Sequence, residues 1–351
     1  MTETVFCSPN DVNLLRPGRP CNLAAEPSEG DALAEVFAAV RMKAAIFFRV
    51  AAQAPWILEQ LSREAVLPMI LPGAREMVSF HFVLEGTCYA NLVGGESIKL
   101  TRGKVIVFTR GDPYVISSSP DLHLHSAVGR PKLVSRHIPF TESFGESGPI
   151  DARLVSGFLA CDSRQYNPLL DNLPTALVGD FTSDSGFRSL AQLTGFAIDQ
   201  AAAERAGGQA VLGRLTELMF IEVVRQYFEK LPPDSVNWLS ALRDPSIGRA
   251  LSLMHGDPGK SWTLESLARE VGVSRSEFAD RFTSLVGVPP MQYLTKWRMQ
   301  TAAGLLCESV NIASIANEVG YSCEASFSRA FKKIVGVPPS RWRQRQEPLA
   351  A

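Results

Sequence analysis

The sequence predicts an α+β chain, with a β-barrel and a helical hairpin in its first two thirds and an all-α region of two helix-turn-helix units after them. Three observations carry this. The last hundred residues contain the same unit twice, short apolar stretches between Ala45 and Ser119 are separated by glycine turns, and two amphipathic segments flank Gly207-Gly208.

The repeat sets the organisation. Leu264–Leu294 and Ile312–Arg343 align through Ala268-x-x-Val271-Gly272 with Ala316-x-x-Val319-Gly320. Phe278-x-x-x-Phe282 then aligns with Phe327-x-x-x-Phe331, and Val286–Pro290 with Val335–Pro339. The offset is 48 residues before the turn and 49 after it, so the second turn is one residue longer. In the first copy, Leu264, Leu267, Ala268 and Val271 space out a short helix that Gly272 ends. Ser274 caps the next helix, with Glu277 at the capping-box position. Phe278, Phe282 and Leu285 fall on one face, and the proline pair stops the helix. The second copy repeats this with Ile312, Ile315, Ala316, Val319, Gly320, Ser322, Phe327 and Phe331. A small alanine at the crossing and a glycine in the turn are what two tightly crossed helices need. A helix of about Met291 to Leu306 joins the units.

Residues Ile247–Arg345 therefore resemble the tandem helix-turn-helix DNA-binding domain of the AraC/XylS family of transcription regulators. The resemblance implies about seven helices, two of which enter neighbouring major-groove segments of double-stranded DNA. It places outward-facing readers at Arg275, Ser276, Ala279, Asp280 and Thr283 in the first recognition helix. In the second they are Glu324, Ala325, Ser326, Ser328, Arg329 and Lys332. Base-edge contacts are expected at Ser276, Ala279 and Asp280, then at Ala325, Ser326 and Arg329; an arginine can bond guanine at two points. Lys296, Arg298, Lys332 and Lys333 are expected on phosphates. Asp280 departs from the family, which more usually has a basic or amide residue there.

Charge is distributed to match. Ser246–Gln346 holds 13 Lys+Arg against 8 Asp+Glu, a net of +5, and the remainder nets -6 within a chain total of -1. A basic module beside an acidic one fits a nucleic-acid reader joined to something else. No apolar run reaches the ~18–20 residues of a membrane span, and no secretion signal is expected, so the chain is read as cytoplasmic. The six cysteines include no C-x-x-C pair, which fits a reducing compartment and argues against a disulfide framework or structural zinc.

In chain order, residues 1–30 read as a flexible tail. Asp31–Val40 has helical spacing with Asp31 as cap. Strands are expected at Ala45–Ala51, Phe80–Leu84, Cys88–Leu92, Ser97–Leu100, Val105–Phe108 and Tyr114–Ser117. Gly86, Gly94-Gly95, Gly103 and Gly111-Asp112-Pro113 lie between them. Phe80–Ile116 resembles the cupin-type sensor domain of one AraC subgroup, in which a hairpin with an L-E-G turn is followed by a G-G turn and a G-D-x-x strand. The resemblance spans about Asp31 to Leu173.

Catalytic cupins hold a metal through spaced histidines and a glutamate. Here Ser79 takes the first histidine position and Tyr114 the last, leaving His81 and Glu85. His123 and His125, alternating on one strand, are the only additions in reach. Two ligands are too few for a closed or catalytic site, so no metal and no cofactor is expected. An enzyme fused to a DNA-binding module is the weaker alternative. Candidate sensing residues are His81, Glu85, Cys88, Tyr114, His123, His125 and Cys21. The last enters through a thiol-redox alternative in which Cys21 and Cys88 meet.

Pro139–Pro149 reads as a loop. Gly186–Glu204 and Gln209–Lys230 read as two helices, the second with an apolar stripe of Val211, Leu215, Leu218, Met219, Val223 and Phe228. The family commonly dimerises through such a hairpin. The expected fold is α+β: an N-terminal cupin-like β-barrel with a helical hairpin, followed by an all-α tandem helix-turn-helix DNA-binding domain. The expected boundaries are a tail at 1–30, a sensor barrel at 31–140, a dimerising hairpin at 150–231, a linker at 232–245 and the DNA-binding domain at 246–346. The expected function is that of a homodimeric, sequence-specific transcription regulator, with activation through RNA polymerase as its sense and a small-molecule effector as its input.

Overall fold

The computed structural model describes residues 32–39, 42–60, 63–64, 67, 76–92, 95–122, 140–145, 148–161, 167–182, 192–193, 208–232, 235, 237–307 and 310–344. The 1–30 tail with Cys21, the Asp31 cap, His123, His125 and nearly all of the first hairpin helix lie outside these residues. No described helix is long and apolar enough to cross a membrane.

The N-terminal part opens with helix α1 (Ala32–Ala39) and then forms nine strands. These are β1 (Met42–Gln53), β2 (Ile57–Gln60), β3 (Glu76–Leu92), β4 (Ile98–Thr101), β5 (Lys104–Phe108), β6 (Tyr114–Ser117), β7 (Phe140–Gly145), β8 (Ala152–Cys161) and β9 (Ala176–Asp180), with a short helix α2 (Pro168–Asn172) before the last. The strand path runs β2-β6-β3-β8-β1-β7, with β4 also on β3 and β5 bridging β3 to β9. Among the described residues the path stays open, and the expected cupin-like barrel takes the form of a jelly-roll.

The expected L-E-G hairpin turn is corrected, because β3 continues through it. Its first half pairs with β8 and β5, and its second half with β4 and β6. A register shift between Val83 and Glu85 bends the strand there. Gly86, at φ 79°, completes the bend. A Cβ at Gly86 would stand 1.9 Å from the Asp151 carbonyl oxygen, so only glycine lets β3 and the start of β8 approach. The expected loop at Pro139–Pro149 is a second correction: Phe140–Gly145 pairs in parallel with β1, Phe48 opposite Phe140.

Strand alternation sorts side chains into two cores. Met77, Val83, Ile106, Phe108, Tyr114, Leu154 and Phe158 face the jelly-roll interior. Val78, Phe80, Phe82, Val105, Val107 and Val155 face the other way. Helix α3 (Gly208–Lys230) covers that second face with Leu212, Met219, Phe220, Val223 and Val224. The apolar stripe expected on this helix is therefore divided. Met219 and Val223 are buried, whereas Val211 and Leu218 are 52% and 48% exposed.

The segment expected as a plain linker carries helix α4 (Trp238–Ala241), capped by a reciprocal Asn237–Ser240 box. Trp238, Leu239 and Ala241 are buried, and the Trp238 indole donates to the Tyr293 hydroxyl. Seven helices follow: α5 (Pro245–Gly256), α6 (Leu264–Glu270), α7 (Arg275–Val286), α8 (Pro290–Leu305), α9 (Ile312–Glu318), α10 (Glu324–Val335) and α11 (Pro339–Gln344). The core on the outer face of the N-terminal sheet runs without a break through α4 and α5 into the first unit, taking in Phe278, Phe282, Tyr293, Leu294 and Trp297. The second unit has its own core of Met299, Ala302, Ala303, Phe327, Phe331 and Trp342.

Candidate nucleic-acid interface

The two units share one construction. Helix α6 ends with Val271, and the Val273 N–H returns to the Ala268 carbonyl at 3.1 Å; in the second unit Tyr321 returns to Ala316 at 2.8 Å. Gly272 and Gly320 supply the left-handed turns at φ 73° and 81°. The turn is 271–274 in the first unit and 319–323 in the second, one residue longer. On each following helix two phenylalanines pack edge to face or tilted, 5.6 Å apart in α7 and 5.5 Å in α10.

The helix starts differ. Ser274 caps α7 by accepting from the Glu277 N–H at 3.2 Å. The expected equivalent, Ser322, is one residue too early: the longer turn makes Cys323 the N-cap of α10, with no side-chain cap bond. Ser326 instead donates to the Cys323 carbonyl at 2.8 Å. The Cys323 thiol is exposed and held below its ordinary value, first by its contact with the Ser326 hydroxyl.

The expected readers lie on the outer surface. Arg275, Ser276, Asp280 and Thr283 are exposed on α7, with Ala279 half-buried. Glu324, Ala325, Arg329, Lys332 and Lys333 are exposed on α10, with Ser326 and Ser328 half-buried. The cations of α7 are engaged: Arg275 pairs with Glu265 at 2.9 Å, and Arg281 reaches Asp244 from two nitrogens at 2.8 and 2.5 Å. Among the described residues, Arg329, Lys332 and Lys333 have no carboxylate partner. Arg298 is half-buried and donates to the Pro258 and Lys260 carbonyls at 2.7 and 2.8 Å, so its donors already hold a loop. Lys296 is half-buried within electrostatic range of Asp171 on α2.

Residues 31–229 match the Cupin family and residues 267–345 the Helix-turn-helix domain family. A putative AraC-like transcription regulator of Streptomyces lividans is 33% identical over 274 residues, 77% of this chain and 88% of that one. The HTH-type transcriptional regulator AlkR of Acinetobacter baylyi is 28% identical over 90% of this chain and 99% of its own length. The RCS-specific HTH-type transcriptional activator RclR of Escherichia coli is 26% identical over 79% of this chain and 88% of its own.

The chain belongs to the AraC-like transcription regulators.

This AraC-like regulator carries its second group of candidate residues inside the jelly-roll. His81 is buried, with Nδ1 2.6 Å from Ser156 Oγ and Nε2 2.7 Å from the Tyr114 hydroxyl. Burial lowers the imidazole to about 3, so the ring is neutral at physiological pH. Burial likewise raises the Tyr114 phenol, which the neighbouring Ser79 hydroxyl partly offsets. Tyr114 stacks on Phe108 at 3.6 Å. The indole N–H of Trp56, in the same core, is buried without an acceptor among the described residues.

Of the other sensing candidates, the two described ones, Glu85 and Cys88, do not join this cluster as ligands. Glu85 is exposed and pairs with Arg153 at 3.0 Å. Cys88 lies buried in the interior core, where burial and then Asp151 push its thiol up to about 12. The described residues contain no group of three or more His, Cys, Asp or Glu placed to hold a metal ion. Ser156 was missed from the sequence. Only the β3–β8 register, His81 opposite Ser156, brings it to the histidine.

Proposed function

We propose that this AraC-like regulator reads a specific sequence of double-stranded DNA through α7 and α10, with α10 supplying most of the attraction. The observation behind this is the difference in pairing: the arginines of α7 are held by Glu265 and Asp244, while Arg329, Lys332 and Lys333 of α10 have no carboxylate partner among the described residues. Arg329 is the guanine reader, Lys332 and Lys333 meet phosphates, and Ser276, Ala279 and Asp280 make the lighter contacts of the first unit. Arg329→Ala lowers affinity for the promoter site by ~1–3 kcal/mol and relaxes preference at one base pair. Replacing Lys332 and Lys333 by alanine weakens all sequences alike and flattens the salt dependence. Unchanged affinity and preference in Arg329→Ala would refute the placement of α10.

The jelly-roll interior is the input. A neutral His81 between two hydroxyls, with the Trp56 indole in the same interior core and without an acceptor among the described residues, suits an uncharged small molecule with a hydrogen-bonding group and an apolar body. The exposed Val211 and Leu218 on α3 suit a homodimer contact, and activation would run through RNA polymerase. The domain boundaries expected from sequence are kept, with α4 added to the linker.

A thiol-redox input is the second reading. It would use Cys21 and Cys88, and the buried Cys88 would need exposure before reacting. An unchanged oxidant response when both are replaced by serine, in a promoter-reporter assay, would remove it.

A further inference from the structure

The two helix-turn-helix units keep separate apolar cores, and the change from one to the other falls at Arg298. Trp297 belongs to the first core and Met299 to the second. What braces the joint from the side of α8 is polar and made largely of backbone.

Arg298 donates from Nε to the Pro258 carbonyl at 2.7 Å and from Nη2 to the Lys260 carbonyl at 2.8 Å. Both carbonyls belong to the loop between α5 and α6, in the first unit. That loop has its own bonds: Asp257 accepts from the Lys260 N–H at 3.0 Å, and the Trp262 indole donates to the Asp257 carbonyl at 2.9 Å. The same loop lies against the second unit. A Cβ added at Gly259 would stand 2.4 Å from the Glu318 carbonyl oxygen, at the end of α9. One added at Gly320 would stand 2.6 Å from the Gly259 carbonyl oxygen and 2.8 Å from Arg298 Nη2. The arginine, the loop of the first unit and the turn of the second therefore meet at one point. That point lies just before Cys323, the N-cap of recognition helix α10.

The first unit supplies an internal comparison. Gly272 holds the matching place in its own turn at φ 73°, yet a Cβ there would meet nothing within 4 Å. Both glycines serve a left-handed turn, and only Gly320 also serves a close approach. Arg298 is committed to this contact. It is half-buried, and burial lowers its guanidinium from the ordinary value. A phosphate-binding arginine instead keeps its fork turned outward.

We propose that Arg298, with Gly259 and Gly320, is a positioning element for DNA recognition: it fixes the angle between α7 and α10 and so the spacing of the two DNA segments the chain accepts. This rests on the reading of α7 and α10 as the two readers. One base pair added between the segments moves the far one by about 3.4 Å and turns it by about 35°. A braced pair of helices does not follow that displacement. Arg298 itself touches no DNA.

The test uses the full chain and a duplex that it selects from a random pool, with the two contacted segments located by hydroxyl-radical footprinting. A second duplex carries one extra base pair between them. The wild type should bind the lengthened duplex roughly tenfold or more weaker. Arg298→Gln should bind the selected duplex several-fold weaker and narrow the difference between the two duplexes to about threefold, because the readers are no longer preorganised. Its slope of log affinity against log salt should stay at the wild-type value, whereas losing a phosphate contact would reduce it by about 0.9. Gly259→Ala opens the same contact without removing a charge. Gly259 is not in the left-handed region, so its added Cβ acts only by pushing against Glu318, and the difference should narrow likewise. Gly272→Ala should lower both affinities and leave their ratio at the wild-type value. If Arg298→Gln does not fold cooperatively, Gly259→Ala decides. Either folded variant keeping the wild-type ratio would overturn the proposal, as would a wild type indifferent to the extra base pair or a reduced salt slope with the ratio intact. The reading of α7 and α10 fails separately, through an Arg329→Ala variant with unchanged affinity and preference.

Discussion

Phe331→Ala should melt the second helix-turn-helix unit while leaving the first one standing. Phe331 is fully buried, packed 5.5 Å from Phe327 and edge-on to Trp342 at 6.2 Å. Truncating a buried phenylalanine costs about 3–5 kcal/mol from lost transfer energy and the cavity left behind. The second unit's core is a separate cluster that begins at Met299, so little of that cost is shared with the rest of the chain. At about 1.4 kcal/mol per decade, amide exchange in α9 to α11 should accelerate by roughly two to three and a half orders of magnitude. Exchange in α6, α7 and the β-strands should change little. Phe282→Ala makes the contrast. It is equally buried, 5.7 Å from Tyr293, but belongs to the core that continues into α4, α3 and the sheet. Its loss should lower protection across that whole unit. The measurement is hydrogen exchange by mass spectrometry on both variants. Equal loss of protection in α7 and α10 upon Phe331→Ala would refute the two-core reasoning.

Three further outcomes follow from named contacts. His81 has its folded-state value lowered to about 3, so its contribution is present above the unfolded value near 6.5 and is lost as pH falls below it; acidification from pH 7 to 5 should cost about 2 kcal/mol of stability that a His81→Gln variant does not lose, read from denaturant melts. Gly86→Ala must place a Cβ against the Asp151 carbonyl at a left-handed φ, and should lower the melting temperature with a penalty above about 1–2 kcal/mol; an unchanged melt would contradict the β3 bend. Alkylation of the native protein at neutral pH should modify Cys323 and Cys307, both exposed, well before Cys88, whose thiol is buried and raised; peptide mapping of Cys88 labelled at the same rate would contradict its place in the interior.

The repeat was readable because its signals are local. A glycine at a left-handed turn, an alanine at a helix crossing and paired phenylalanines at i and i+4 fix each unit within about 25 residues. The first cap followed the same local rule. The second did not, since one inserted residue moved the N-cap from Ser322 to Cys323. In the sheet, strands β4 to β6 were legible from alternation between turns. The L-E-G segment was misread because glycine marks both a hairpin turn and a strand bend. Which of these Gly86 makes is set by Asp151, 65 residues away. The His81 cluster was half-legible: His81 and Tyr114 stand at positions a cupin motif would mark, but Ser156 enters only through strand register. The pairing state of a surface arginine has no local signature at all. Arg281 meets Asp244 across 37 residues of sequence, so the difference between the two readers' free charge required the fold.

That difference coincides with the division of the core. The sheet's outer face, α3, α4, α5 and the first unit bury their apolar side chains in one continuous cluster, and the same first unit holds its recognition helix to α5 through Asp244 and Arg281. The second unit shares neither feature. The division falls inside a single helix, α8, with Trp297 in the first core and Met299 in the second. A helix packed at both ends transmits rotation and translation between them but does not merge their stabilities. A displacement of α3 against the sheet therefore reaches α7 through packed side chains and an ion pair, whereas α10 feels it only as a change in where α8 points. Close packing makes the first route stiff, and the single-helix joint makes the second a matter of spacing. A displacement passed along these routes thus acts on the distance and angle between α7 and α10 more than on the α10 surface, where Arg329, Lys332 and Lys333 have no carboxylate partner among the described residues.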